Sequence, residues 1–399
     1  MTTTTTTNDP PPSGGSHARG AALSAPTGAI IDAELEALRG RRVAVALSGG
    51  VDSAVAAARL VEAGAEVVGL ALRLHDPDPG NPLAPRACCP PDDLQDARRV
   101  AEMLGFPFYV LDGRSEFAEH VVRPFVRSYL GGRTPNPCVG CNAFVKLERL
   151  HRRARALGCE RLATGHYARR IREAGRDRRT HLFTGVDADK DQSYFLFGTR
   201  PELLRDLEFP LGAWTKAEVR EGALARGLPV AHKLESQEVC FVGGAGAGRF
   251  VMRQPEASGD HAGPVVDEEG KVLGRHHGVM NFTVGQRKGL GIAARHPLHV
   301  LSLDPESKTV TVGPSTRLLK EGLTARDASW PAGPPAGPVR ARVKIRYRDP
   351  GTPARVARRA DGQVEVRFEQ PVRAVSPGQA AVFYVDDEVL GGAWIEGGT

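Results

Sequence analysis

The sequence predicts an α/β domain with a parallel sheet, a small β-rich domain after it, and a C-terminal β-barrel. Three observations carry that expectation. Short apolar runs alternate with helix-forming segments through the first half, as strand-helix-strand units do. After Gln237 the texture turns to glycine-rich turns and short alternating segments. From Val339 to Arg348 apolar and cationic residues alternate strictly, the period of a strand with one packed face. The expected boundaries are a disordered low-complexity tail over 1–37, the α/β domain over 38–238, the central domain over 239–320 and the barrel over 321–399.

Residues 43–47 form an apolar run ending in Ser48-Gly49-Gly50, as a buried parallel strand entering a tight turn would. An alanine-rich helix over 53–62 follows, Gly64 supplies its C-cap, and 66–72 reads as a second buried strand. Helices are expected near 92–104, 116–130 and 144–155, and strands near 108–111 and 161–164. Further on, Asp267 to Gly270 marks a turn and a strand pair brackets Asp304-Pro305. The Pro/Gly stretch 331–338 introduces the last strands, and Asp361-Gly362 marks a hairpin between alternating arms.

With 399 residues, the chain exceeds one ordinary domain, and 41% hydrophobic with 25% charged residues is a globular balance. No apolar run approaches bilayer length, and the first thirty residues lack the charged start and apolar stretch of a secretory signal, so a cytoplasmic location without a membrane partner is expected. The six cysteines then point to metal binding or thiol chemistry in preference to disulfide staples. A net charge of +6 suits a polyanionic partner where the excess clusters.

Ser48-Gly-Gly-Val-Asp-Ser53 sits between a buried strand and a helix, where glycines admit a phosphate and the helix N-terminus attracts it. An ordinary strand-to-helix turn would need glycine too. The loop lacks the Gly-Lys-Ser/Thr ending of a Walker loop and has no lysine placed for the terminal phosphates. The hexapeptide resembles the pyrophosphate loop of the N-type ATP pyrophosphatases, which adenylate a substrate oxygen. In that comparison Asp52 organises Mg2+ and phosphate while Ser48 and Ser53 bind phosphate oxygens.

Thr134-Pro-Asn-Pro-Cys138-Val-Gly-Cys141-Asn142 carries two thiols at the start of an expected helix, where the dipole favours thiolates; buried structural cysteines are the ordinary alternative. Cys240 follows in Glu235-Ser-Gln-Glu-Val-Cys240-Phe, where the α/β texture ends, and alone it reads as a small core residue. Cys159 reads as structural, and Cys88-Cys89 as a reserve thiol pair or as nothing.

Taken in order, Ser48 to Ser53, Thr134 to Pro137 with Cys141-Asn142, Thr164-Gly-His166-Tyr, Lys190-Asp-Gln-Ser-Tyr-Phe195, Cys240-Phe, Val284 to Ile292, Val343 to Arg348 and Pro377-Gly-Gln379 closely resemble the bacterial tRNA-specific 2-thiouridylase family. The resemblance spans nearly the whole chain except its tail. It implies an adenine nucleotide alpha hydrolase-like ATP-pyrophosphatase domain and a tRNA-uridine 2-sulfurtransferase that thiolates the wobble uridine of tRNAs for Lys, Glu and Gln. In that scheme Cys240 takes a persulfide from a sulfur carrier or a cysteine desulfurase relay. The base C2 oxygen is adenylated, and Cys141 acts as nucleophile or frees the sulfur by a disulfide with Cys240. Carried over by position, Ala46, Leu47, Ser48, Gly49, Gly50, Val51, Asp52, Ser53, Leu72 and Gly165 contact ATP. Asn136, Pro137 and Cys138 border the target base, while His166, Lys190, Asp191, Gln192, Arg346, Tyr347 and Gln379 face tRNA.

Many members of that family carry aspartate at the position of Cys138, assigned to acid/base chemistry, so the role of this thiol is open. Cys138, Cys141 and Cys240 are also three thiolates suited to an iron-sulfur cluster with one open iron, or to zinc or a redox dithiol. On the strand over 339–348, Arg340, Arg342, Lys344, Arg346 and Arg348 share one face that suits a phosphate backbone, while Val339, Ala341, Val343, Ile345 and Tyr347 share the packed one. An edge strand defended by charge gives the same pattern. Gln286, Arg287 and Lys288 add a candidate RNA-holding loop. Two other functions explain parts of this: a small-molecule ATP pyrophosphatase of the amidating synthetase type, and a non-catalytic RNA-binding protein.

Overall fold

The computed structural model describes residues 24–76, 91–173, 179–234, 239–243 and 246–399. Cys88, Cys89 and the 235–238 part of the segment before Cys240 lie outside them. In chain order the first elements are α1 (Gly28–Glu36), β1 (Arg42–Ala46), α2 (Val51–Glu62), β2 (Glu66–Arg73), α3 (Pro91–Leu104) and β3 (Phe108–Asp112). β4 (Arg161–Ala163), a hairpin of β5 (Ala168–Arg172) and β6 (Thr180–Thr184), and β7 (Leu207–Glu208) follow. The sheet runs β3-β2-β1-β4-β7 and is parallel throughout. Chain order reverses at β1, with β2 on one side and β4 on the other, so the crevice beyond their carboxyl ends is where this topology places a ligand.

Local composition accounts for these elements. Val43, Ala44 and Val45 are fully buried because helices cover both faces of the sheet. Ala54, Val55, Ala56, Ala57 and Leu60 pack α2 against it, and Gly64 ends the helix at φ +81°. Leu162 is wholly buried in β4, so Leu162→Ala should cost about 2–5 kcal/mol. One expectation is corrected: the tail does not extend to 37. α1 buries Ile31 and Leu35, with Leu38 just beyond, against the core that also holds Val45 and Leu60. Its spacing of apolar residues at i, i+4 and i+7 outweighs the low-complexity composition that precedes it.

The central unit, β8 (Gly263–Val266), β9 (Val272–His276), β10 (His299–Asp304) and β11 (Thr309–Gly313), forms a sheet ordered β10-β11-β8-β9 around Val265, Phe282, Val300 and Val312. The last six strands are β12 (Leu319–Ser329), β13 (Val339–Lys344), β14 (Thr352–Arg358), β15 (Val364–Arg373), β16 (Ala380–Val385) and β17 (Glu388–Gly398). They pair antiparallel in the order β12-β15-β14-β13-β16-β17, and β12 pairs with β17 to close the barrel. The β5–β6 hairpin of the first domain adds to β17, with Glu388 opposite Phe183 and Val389 opposite Leu182. The barrel is therefore joined to the first domain by main-chain pairing.

Candidate active site

The loop after β1 is folded on itself before any ligand is considered. Ser53 Oγ accepts from Ser48 N at 3.2 Å, lies 3.2 Å from Ser48 Oγ and donates to Gly50 O at 3.0 Å. Gly49 sits at φ +74°, and a Cβ there would stand 2.0 Å from Asp93 O. Gly165, at the end of β4, packs so closely that a Cβ would lie 2.8 Å from Ser53 N. Glycine at 49 and 165 thus lets α3 and the β4 end approach the loop backbone.

Two lysines reach this loop from far along the chain, which corrects the expectation that none is placed there. Lys216, at the N-terminus of the helix Lys216–Ala225, puts Nζ 2.6 Å from Asp52 Oδ1, and Tyr167 OH donates to the same oxygen at 2.7 Å. Lys233 Nζ donates to Gly49 O at 2.9 Å and pairs with Asp93 and Asp96, each at 2.5 Å. Lys216 is buried, and a buried ammonium is held only where anionic partners repay its desolvation. Tyr167 belongs to a motif visible in the sequence. Thr215 and Glu218 form a capping box that announces the helix start but not where Lys216 points.

The cysteine segment opens a continuous helical run: a turn over Pro137–Gly140, a π-helical stretch over Cys141–Lys146 and an α-helix over Leu147–Ala156. Cys138 is exposed, whereas Cys141 and Cys240 are partly buried. Cys141 and Cys240 pack against one hydrophobic cluster that contains Leu72 and Val139, and Ala46 packs on it too. The two thiols and the nucleotide-side residues therefore border a common core. Phe241 anchors Cys240, its ring 5.4 Å from Phe117, 5.1 Å from Phe125 and 5.2 Å from Phe250. Among the described residues no three His, Cys, Asp or Glu side chains group to hold a metal. The three cysteines are thus not gathered as cluster ligands. Mg2+ fits better, because it needs only one or two carboxylates plus substrate phosphates, and Asp52 is placed to serve.

The backbone leading to Cys138 is clamped by the barrel. Gln379 Nε2 donates to Thr134 O at 2.9 Å and to Pro135 O at 3.3 Å, and Thr134 N donates to Pro377 O at 2.8 Å. Thr134 Oγ1 donates to Thr283 Oγ1 of the central domain at 3.2 Å. Asn136 bonds Tyr194, whose OH donates to Ala380 O at 2.9 Å; burial pushes that phenol far above its ordinary range. Three domains therefore meet on the four residues before Cys138.

The domain models match in the same order. Residues 41–244 match "tRNA methyl transferase HUP domain", 254–314 match its PRC-barrel domain and 320–395 match "Aminomethyltransferase beta-barrel domain". The curated tRNA-specific 2-thiouridylase of Geobacter metallireducens is 49% identical over 361 residues, covering 89% of this chain and 97% of that protein. Those of Geotalea uraniireducens and Solibacter usitatus are 50% and 48% identical, covering 95% and 99% of their lengths. The chain belongs to the tRNA-specific 2-thiouridylase family. Among solved structures, NMN synthetase from Francisella tularensis overlaps with a TM-score of 0.31 at 17% identity, covering 53% of this chain and 76% of that one.

Not every residue carried over from the 2-thiouridylase family stands where it was expected. Asp191 is buried and accepts from Gly185 N at 3.1 Å, Ser193 N at 3.0 Å and Ser193 Oγ at 3.0 Å, so its carboxylate builds a turn. Burial raises its carboxyl above the usual range. Tyr347 stacks 4.4 Å from Phe195 and packs on the main core. Gln192 Oε1 accepts from Tyr167 N at 3.1 Å, Lys190 N closes a turn on Asp187 O, and Gln379 serves the clamp. Arg346 remains exposed, with Nη2 on Ala374 O. The cationic row is also broken: Arg340 pairs with Glu369 at 2.6 Å, Arg342 donates to Pro350 O at 2.9 Å, and Lys344 is half-buried over the Tyr384 ring. Nor is β13 an edge, since β14 and β16 flank it.

His166 lies against the nucleotide side of the crevice. Its Nδ1 is 2.9 Å from Thr164 Oγ1, its Nε2 is 3.5 Å from Lys146 Nζ, and Phe209 packs edge-on. Burial, then the Lys146 charge, hold the imidazole well below its ordinary range, so it is neutral near pH 7. Cys159 is buried and its thiol raised by desolvation, in keeping with a structural role.

Proposed function

We propose that this chain is a tRNA-uridine 2-sulfurtransferase, using ATP to replace the C2 oxygen of a tRNA uridine with sulfur, and that the target is the wobble uridine of tRNAs for Lys, Glu and Gln. The observation that carries the reading is the shared core on which Ala46, Leu72, Cys141 and Cys240 converge. It sets the strand residue before the loop and two thiols on one core, which supports adenylation and sulfur transfer at neighbouring positions. The domain description speaks of methyl transfer, but a pyrophosphate loop and paired cysteines are what thiolation requires and methyl transfer has no use for them.

Chemically, uridine O2 attacks the α-phosphorus of ATP as the bond to pyrophosphate breaks and the N3 proton leaves. The terminal sulfur of a Cys240 persulfide then attacks C2, and AMP departs with the former O2. Attack of the Cys141 thiolate on Cys240 Sγ releases the thiouridine, which regains its N3 proton, and leaves a Cys141–Cys240 disulfide for a cellular thiol to reduce. A disulfide requires Cα atoms within about 7 Å. Persulfide reaches Cys240 from a sulfur carrier or cysteine desulfurase relay. The base leaves its stack to enter the crevice, bordered by Asn136, Pro137 and Cys138. Exposed Arg346 and part-buried Lys190 with the 286–288 loop are the RNA contacts of this reading. Among the described residues no helix is long and apolar enough to cross a membrane, and we place the reaction in the cytoplasm.

The test is pyrophosphate release with and without unmodified tRNA, together with nucleoside analysis of the RNA. Release that needs tRNA, with one uridine gaining sulfur, is expected. Release independent of tRNA would favour an amidating synthetase, and no release at all a non-catalytic RNA-binding protein.

A further inference from the structure

We propose that Lys146 is a catalytic cation at the α-phosphate and that His166 is the positioning residue that aims it, a role within the thiolation reading above. Neither residue lies in the nucleotide loop. The geometry brings them to it from two elements. His166 follows Gly165, where a Cβ would stand 2.8 Å from Ser53 N and 2.9 Å from Asp52 C, so the imidazole stands three residues past β4 at the carboxyl edge of the sheet. Lys146 closes the π-helical stretch that begins at Cys141. In such a stretch the i→i+5 repeat sets Lys146, the sixth residue, one turn on from Cys141, and π-turns recur at functional sites. The ammonium, within reach of His166 Nε2, thus stands on the carboxyl side of the sheet, where this topology places a ligand.

A relay of contacts fixes its direction. Thr164 Oγ1 lies 2.9 Å from His166 Nδ1, and His166 Nε2 lies 3.5 Å from Lys146 Nζ. A neutral imidazole that donates from Nδ1 to the threonine leaves Nε2 to accept from the ammonium. The groups facing the ring are Thr164 from its own strand end, Lys146 from the helical run and the Phe209 ring. Both halves of the reaction develop negative charge at one place. As O2 bonds to phosphorus, charge grows on the α-phosphate and the departing pyrophosphate oxygen; as sulfur bonds to C2, AMP leaves carrying the C2–O2 electrons. A fixed ammonium there serves both steps without moving a proton.

The test uses the full-length chain and the variants Lys146→Met, Lys146→Arg and His166→Phe, each checked by thermal melting. Lys146→Met should slow tRNA-dependent pyrophosphate release about 100-fold in kcat, with Lys146→Arg recovering part of it. AMP, the probe for the α-phosphate, should bind Lys146→Met at least about tenfold more weakly by calorimetry. In NMR titration the His166 ring should take up its proton at higher pH in Lys146→Met than in wild type. His166→Phe keeps the ring packing, and a kcat loss smaller than that of Lys146→Met is expected. Unchanged AMP affinity, or a rise in KM for tRNA with kcat intact, would overturn the assignment. Because AMP binding and the titration need no turnover, they judge Lys146 even if wild type fails to thiolate RNA, a result that would sink the thiolation reading alone.

Discussion

The nucleotide loop and the cysteine segment are built in opposite ways. The loop folds on its own residues, Ser48, Gly50 and Ser53, within one strand-helix junction, with Lys233, Lys216 and Tyr167 adding bonds at Gly49 and Asp52 and neighbours pressing on it at Gly49 and Gly165. The segment before Cys138 has few bonds of its own and is held from outside, by Gln379 of the barrel, Thr283 of the central domain and Tyr194 of the first. Phosphate binding repeats the same geometry with every ATP and profits from a rigid cradle. Sulfur transfer needs thiols that approach one another, and a segment held by a few external hydrogen bonds can be repositioned when the parts that hold it engage RNA.

The largest effect expected from this contrast is a separation of the half-reactions. Cys141→Ser should abolish thiolation while tRNA-dependent pyrophosphate release continues; loss of both would merge the two regions into one unit. Gly49→Ala, whose Cβ would meet Asp93 O, should instead reduce both activities by about 100-fold or more through lost ATP binding, read as matched loss in both assays. Gln379→Ala should lower thiolation about tenfold and leave the KM for ATP unchanged, because it loosens only the cysteine side. An equal change in ATP affinity would show the clamp serving both sites.

The smallest effect concerns the barrel junction itself. His181 Nδ1 lies 2.6 Å from Glu388 of β17 and its Nε2 3.0 Å from Glu173, and the hydrogen bond to Glu388 is the chief reason its pKa is raised. A raised folded-state pKa stabilises fully below the unfolded value of about 6.5, and the contribution fades as pH rises through the folded value. Thermal melting should show that loss in wild type across this window and a flatter profile in His181→Gln.

Much of the fold was legible because its signals are local. The run 43–47 with its glycine turn, the alanine-rich helix and the Asp361-Gly362 hairpin each follow from a few adjacent residues. The loop was equally readable, and Gly165 and Tyr167 stood in a visible motif. Lys216 and Lys233 were not, since nothing near them in the chain states that the helix start at 216 and the turn segment at 233 return to the loop. Tyr347 shows a local signal at work: strict alternation put it on the packed face, and it stacks on Phe195. Asp191 misleads for the reverse reason. A charged residue between lysine and glutamine reads as surface, yet two backbone amides and a serine hydroxyl satisfy it inside. The cations of β13 were legible as a row, but Glu369, the carbonyl of Pro350 and Tyr384, which engage three of them, come from other parts of the barrel.

The most direct measurement for the central claim is a single-turnover reaction of persulfide-loaded protein with ATP and unmodified tRNA, following AMP, pyrophosphate and the thiolated nucleoside together. The account predicts equal yields of all three from wild type, with sulfur at C2 of one anticodon uridine. AMP and pyrophosphate formed without RNA, or sulfur appearing in RNA without ATP cleavage, would contradict it.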